Sequence, residues 1–92
     1  MIEINAVRYT EGHKEAAKLG FISKNYQGIV RYRDVHGTEY TKDELIHEIV
    51  CGEKVSVSGG EDLIVVEKQG TDYIKSKNNN SENDNLGNLP EF

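Results

Sequence analysis

His47 and Cys51 stand four positions apart in a stretch that reads as helix, the one spacing in this sequence that sets a thiol beside a base. A thiolate and imidazole pair can do nucleophilic chemistry, but it also needs a group to orient the histidine and a site for an oxyanion, and no residue pattern identifies either. Two ligands also fall short of the four expected at a structural zinc, and His13 and His36 have no metal-site spacing to them. Asp43, Glu44 and Glu48 crowd three carboxylates onto the same stretch. Acids in a first helical turn complement the helix dipole, and that ordinary role outweighs a catalytic one. None of the glycines forms a phosphate-binding loop between a strand and a helix, since Gly59-Gly60 precedes a strand. These readings assign no catalytic, cofactor-binding or metal-ligating residue and lean away from an enzyme.

Tyr26, Ile29, Arg31, Tyr32 and Arg33 are more telling, because they mix aromatic and cationic side chains in an otherwise acidic chain. Tyr and Arg are favoured at protein interfaces for their contact area and directed hydrogen bonds. The same mixture serves single-stranded nucleic acids, which stack on rings and pair with guanidiniums. The formal charge of −5 argues against direct nucleic-acid binding, which draws its affinity from many Lys and Arg neutralising phosphates. These five residues are therefore the expected partner-binding set, for a protein partner or for self-association.

Whole-chain composition agrees with a small folded unit. The 92 residues are 36% hydrophobic and 29% charged, enough for one modest core. No apolar run approaches the ~20 residues needed to span a bilayer, and the opening residues have no signal-peptide pattern. The expectation is a cytoplasmic protein with Cys51 as a free thiol.

The alternation from Ile2 to Tyr9 reads as a strand, and Gly28 to Asp34 reads as another, with Val30 and Tyr32 on one side and Ile29, Arg31 and Arg33 on the other. Between them, Glu11-Gly12-His13 looks like a turn, and Ala16 to Phe21 fits either a short helical turn or a packed loop. The clearest element is a helix over Lys42 to Cys51. Thr41 and Glu44 have capping-box spacing, Gly52 closes the other end, and Leu45, Ile46, Ile49 and Val50 form the apolar stripe. Three strands follow at Lys54 to Val57, Asp62 to Glu67 and Asp72 to Ser76, with Leu63-Ile64-Val65-Val66 expected at the centre of an antiparallel meander. The fold class is α+β: a small antiparallel or mixed sheet of about five strands with one main amphipathic helix packed on it. Residues 1–77 form the domain, the asparagine-rich residues 78–84 a polar linker, and residues 85–92 a closing segment whose Leu86, Leu89 and Phe92 dock on it.

Ile4-Asn5-Ala6-Val7-Arg8 and Asp84-Asn85-Leu86-Gly87-Asn88-Leu89-Pro90, with Tyr73-Ile74-Lys75-Ser76 between them, resemble the opening, closing and last-strand motifs of a small bacterial and phage-borne family of unknown function. That resemblance spans most of the chain and implies a fold without an activity. Together these readings point to a non-catalytic binding or accessory module acting through a sheet face or edge, possibly as a homodimer. The alternative is a phage-type inhibitor or decoy that engages a nucleic-acid enzyme or sequesters a small charged ligand.

Overall fold

In the computed structural model, which describes residues 1–22, 26–77, 86 and 89–92, the chain builds six strands and two α-helices. Strand β1 (Ile2–Tyr9) leads into helix α1 (Glu11–Lys18), and a 3-10 turn at Tyr26–Gly28 leads into β2 (Ile29–Asp34). Then come β3 (Glu39–Thr41), α2 (Lys42–Val50), β4 (Val55–Val57), β5 (Leu63–Lys68) and β6 (Thr71–Ser76). The α+β class stands. The single sheet does not: four strands run in the order β3-β2-β1-β4, and β5 and β6 form a separate two-stranded sheet.

The expected meander is overturned at β4, which pairs with β1 in parallel, Ile2 opposite Val55 and Ile4 opposite Val57. A parallel pair needs a long crossover, here supplied by β2, β3 and α2. β5 is thus not a central strand of the larger sheet; it packs beside β4, with a bridge between Ser56 and Asp62, the residue just before β5. Its apolar run is accounted for by packing instead, with Leu63 buried and Ile64, Val65 and Val66 half-buried.

α1 is a two-turn helix through Glu11-Gly12-His13, which reads as a turn in sequence, and into Ala16 and Ala17, where a short helical turn or a packed loop was expected. Thr10 caps it by accepting a hydrogen bond from the His13 N–H at 3.1 Å. None of its residues is fully buried, so it lacks the apolar stripe that makes a helix visible in sequence. In α2 both halves of the capping box form: the Thr41 hydroxyl accepts from Glu44 N–H, and the Glu44 carboxylate accepts from Thr41 N–H. Cys51 caps the end, and Gly52 takes φ +98°. Leu45 is buried and Ile46 and Ile49 pack beside it, but Val50 is 73% exposed. Five residues on from Leu45 is about 140° around the axis, beyond the reach of the buried face.

The core lies between the four-stranded sheet and a layer of α2 and the β5–β6 hairpin, joining Ile4, Val7 and Tyr32 to Leu45, Leu63 and Ile74. Leu86 is also fully buried in it, and Leu89 packs against it. The closing residues continue the sheet edge past β4: Val7 N–H donates to the Pro90 carbonyl at 2.9 Å, and Phe92 N–H to the Val7 carbonyl at 3.1 Å. The linker at residues 78–84 lies outside the described residues, as do Asn85, Gly87 and Asn88 of the closing motif. No helix among the described residues is long and apolar enough to cross a membrane.

Candidate functional site

The expected partner-binding set, the face of Ile29, Arg31 and Arg33 with Tyr26 and Tyr32 near it, is divided by the fold. Ile29 and Tyr32 are core residues, 1% and 0% exposed, so neither presents a side chain to a partner. Tyr32 is buried by ordinary alternation, opposite the arginines, whereas Ile29 joins it through a register shift: Arg31 pairs with Arg8 but Ile29 pairs with Tyr9, so β2 spends two steps where β1 spends one. Val30 is the extra residue, and it breaks the alternation that would have aligned Ile29 with the arginines. Tyr26 lies apart as well, on the 3-10 turn, with its ring edge-on to Tyr73 at a centroid distance of 6.1 Å.

Arg31 and Arg33 do share a face, the one turned away from α2 and the hairpin, and Arg8 joins them directly opposite Arg31. Like charges in cross-strand register repel. Phe92 offsets this, because its ring lies 4.7 Å from the guanidinium carbons of both Arg8 and Arg33. The Arg8 Nε–H also donates to the main-chain oxygen of Phe92 at 2.8 Å. Among the described residues, none of the three guanidiniums has an Asp or Glu side chain within 4.0 Å. Arg31 and Arg8 are exposed and Arg33 half-buried, so this is a positive surface around one aromatic ring, with the Glu44 carboxylate the acid that feels Arg31.

Sequence reasoning missed Arg8 here. The signal was present in its position within β1, but the cross-strand partner that gives it meaning comes from a register that hydrophobic pattern does not specify.

A second cluster surrounds Tyr73. The Lys42 Nζ sits 4.9 Å above its ring, and a cleft of about 400 Å³ is lined by Gln27, Lys68, Gln69 and Tyr73. The Tyr26 hydroxyl accepts a weak 3.5 Å hydrogen bond from the Gln27 amide. That bond, aided by the nearby Lys68 and Lys75 ammonium groups and opposed by partial burial, holds the Tyr26 phenol below its ordinary range. None of these residues except Tyr26 stood out in the sequence, because they gather from three separate elements.

The Cys51 Sγ lies 3.5 Å from His47 Nε2 on the exposed end of α2, and the thiol is free. Of the helix carboxylates, Glu44 is committed to the cap, and the Thr41 N–H that it accepts is the main reason its acid lies below the usual range. Among the described residues, no three His, Cys, Asp or Glu gather as a metal site.

Comparison with known proteins gives one result that bears on identity. No curated protein and no solved structure matches the chain. A family model does, over residues 3–90, which takes in both the arginine-bearing strands and the hairpin. The chain therefore belongs to the DUF3892 family, described as proteins of unknown function.

Proposed function

We propose that this protein is a non-catalytic binding module whose open sheet face, carrying Arg8, Arg31 and Arg33, takes an acidic protein surface. The observation that carries this reading is that three guanidiniums converge on one face with no Asp or Glu side chain within 4.0 Å among the described residues. A cation cluster without close Asp or Glu partners is stabilised by an acidic partner, and Arg is the side chain that binds carboxylates through paired hydrogen bonds. Phe92 adds to the fit, since an aromatic ring between two held guanidiniums gives contact area without the cost of ordering flexible groups.

A second copy of the chain is the nearest acidic surface, given its net charge of −5. Sedimentation separates that source from a different protein. The Arg31→Glu, Arg33→Glu double variant should fold, lose self-association or partner capture, and show the same loss that raised salt produces more weakly. Unchanged assembly and unchanged partners in a folded double variant would discard the arginine face.

A further inference from the structure

The cleft beside Tyr73 is chemically one-sided. In the β5–β6 hairpin Lys68 pairs with Thr71, Val66 with Tyr73 and Ile64 with Lys75, while Glu67 pairs with Asp72 and Val65 with Ile74. Paired residues in an antiparallel ladder share a face, and alternate pairs lie on opposite faces. Lys68, Tyr73 and Lys75 thus occupy one face, and the hairpin's two acids occupy the other. In a chain with 16 acidic and 11 basic residues, the described residues that line the cleft, Gln27, Lys68, Gln69 and Tyr73, include a cation and no carboxylate.

The walls are also held in place. Gln69 and Gly70 take φ of +53° and +81°, a tight two-residue turn that fixes Gln69 at the rim. Tyr73 is braced by the Tyr26 ring at its side and by the Lys42 ammonium above it. The Tyr26 phenol beside it is lowered first by the Gln27 hydrogen bond and then by the Lys68 and Lys75 ammonium groups.

We infer that this cleft binds a small organic phosphate monoester, its phosphate held by Lys68 with the Gln27 and Gln69 amides, and its body against Tyr73. A lysine ammonium is a point donor suited to phosphate, and amide N–H groups add directed hydrogen bonds to the remaining oxygens. The volume of about 400 Å³ falls within the range of small-molecule sites and exceeds what a bare oxyanion fills. No residue of this cleft belongs to the arginine face, so either site can fail without the other.

Adenosine 5′-monophosphate, ribose 5-phosphate and adenosine, titrated separately into the intact chain at low salt, test the assignment through backbone amide shifts. The monophosphate should move Gln27, Lys68, Gln69 and Tyr73 in a saturable way at or below about 1 mM. Ribose 5-phosphate should move the same amides more weakly, and adenosine should move none. The Lys68→Glu, Lys75→Glu variant should weaken binding by about tenfold or more. Lys68→Gln serves as the milder variant if charge reversal disturbs the hairpin, and it should weaken binding in the same direction. The inference is overturned by silence at these four amides, by shifts confined to Arg8, Arg31 and Arg33, by adenosine matching its monophosphate, or by a folded variant that binds unchanged.

Discussion

The arginine face and the lysine cleft are both positive surfaces on an acidic chain, yet they are built by opposite means. The arginine face depends on contacts far apart in sequence: Arg8 and Phe92 are separated by 84 positions, and their hydrogen bond exists only because the closing residues run alongside β1. The cleft draws Lys68, Gln69 and Tyr73 from within one hairpin, with Gln27 and Lys42 brought against it. A surface assembled by the ends of the chain is vulnerable at the ends. One set by a two-residue turn survives as long as the hairpin does.

The change expected to break this contrast most forcefully is Leu86→Ala. Leu86 is fully buried, and truncating such a side chain costs about 2–5 kcal/mol through lost transfer energy and the cavity left behind. Denaturant unfolding measures the cost. With residues 89–92 loosened, the amide signals of Arg8 and Arg33 should shift toward those of an uncovered strand, while the Tyr26–Tyr73 contact stays. Equal disturbance of the cleft would show that the two surfaces stand or fall together.

Phe92→Ala is the narrower cut. It removes two ring–guanidinium contacts of about 0.5–1 kcal/mol each and leaves the core untouched. Arg8 and Arg31, already opposed across the ladder, then repel without their aromatic neighbour. Stability should fall by about 1 kcal/mol, and the loss should shrink at high salt. A loss that salt does not change would mean that Phe92 acts by burial alone.

What sequence disclosed follows the same division between local and distant causes. The helix α2 was legible at both ends because Thr41, Glu44 and Gly52 act on their own backbone neighbours. The β5–β6 hairpin was legible as two strands, and its turn is likewise local, with Gln69 and Gly70 at positive φ. α1 was not: Gly12 sits in its first turn and its inward side is only half-buried, so neither propensity nor periodicity announces it. Ile29 was assigned to the wrong side because a single extra residue in β2 reverses a face, and no local preference marks Val30 as that residue. The parallel pairing of β1 with β4 lies beyond local reading altogether, since it is decided by which apolar strands can cover one another after a crossover. Of the candidate site, Arg31 and Arg33 were found as a pair, whereas Arg8 required the register and the cleft required the packing of the 3-10 turn and α2 on the hairpin.

The smallest expected effect, and the finest test of the division, is alkaline titration. Tyr26 and Tyr32 lie in one seven-residue stretch, yet the structure moves their phenols in opposite directions. The Gln27 hydrogen bond, with help from Lys68 and Lys75, lowers Tyr26, whereas burial raises Tyr32, with the nearby Tyr9 adding to the shift. The unfolded chain ionises both near pH 10. Tyr32, raised in the folded state, contributes stability that is fully present below that pH and is lost as pH climbs toward its folded value. Tyr26, lowered in the folded state, contributes in the reverse sense, with its stabilisation present above pH about 10 and lost as pH falls through its folded value. Ultraviolet absorbance of the tyrosines should therefore show an early phase that Tyr26→Phe removes and Lys68→Met delays, because the ammonium that favours the phenolate is gone. Tyr32 should ionise only with loss of the far-ultraviolet dichroism of the fold. An early phase that survives Tyr26→Phe would place the positive surroundings elsewhere. Ionisation of Tyr32 in a protein that remains folded would mean that the core opens to hydroxide beneath α2 and the hairpin.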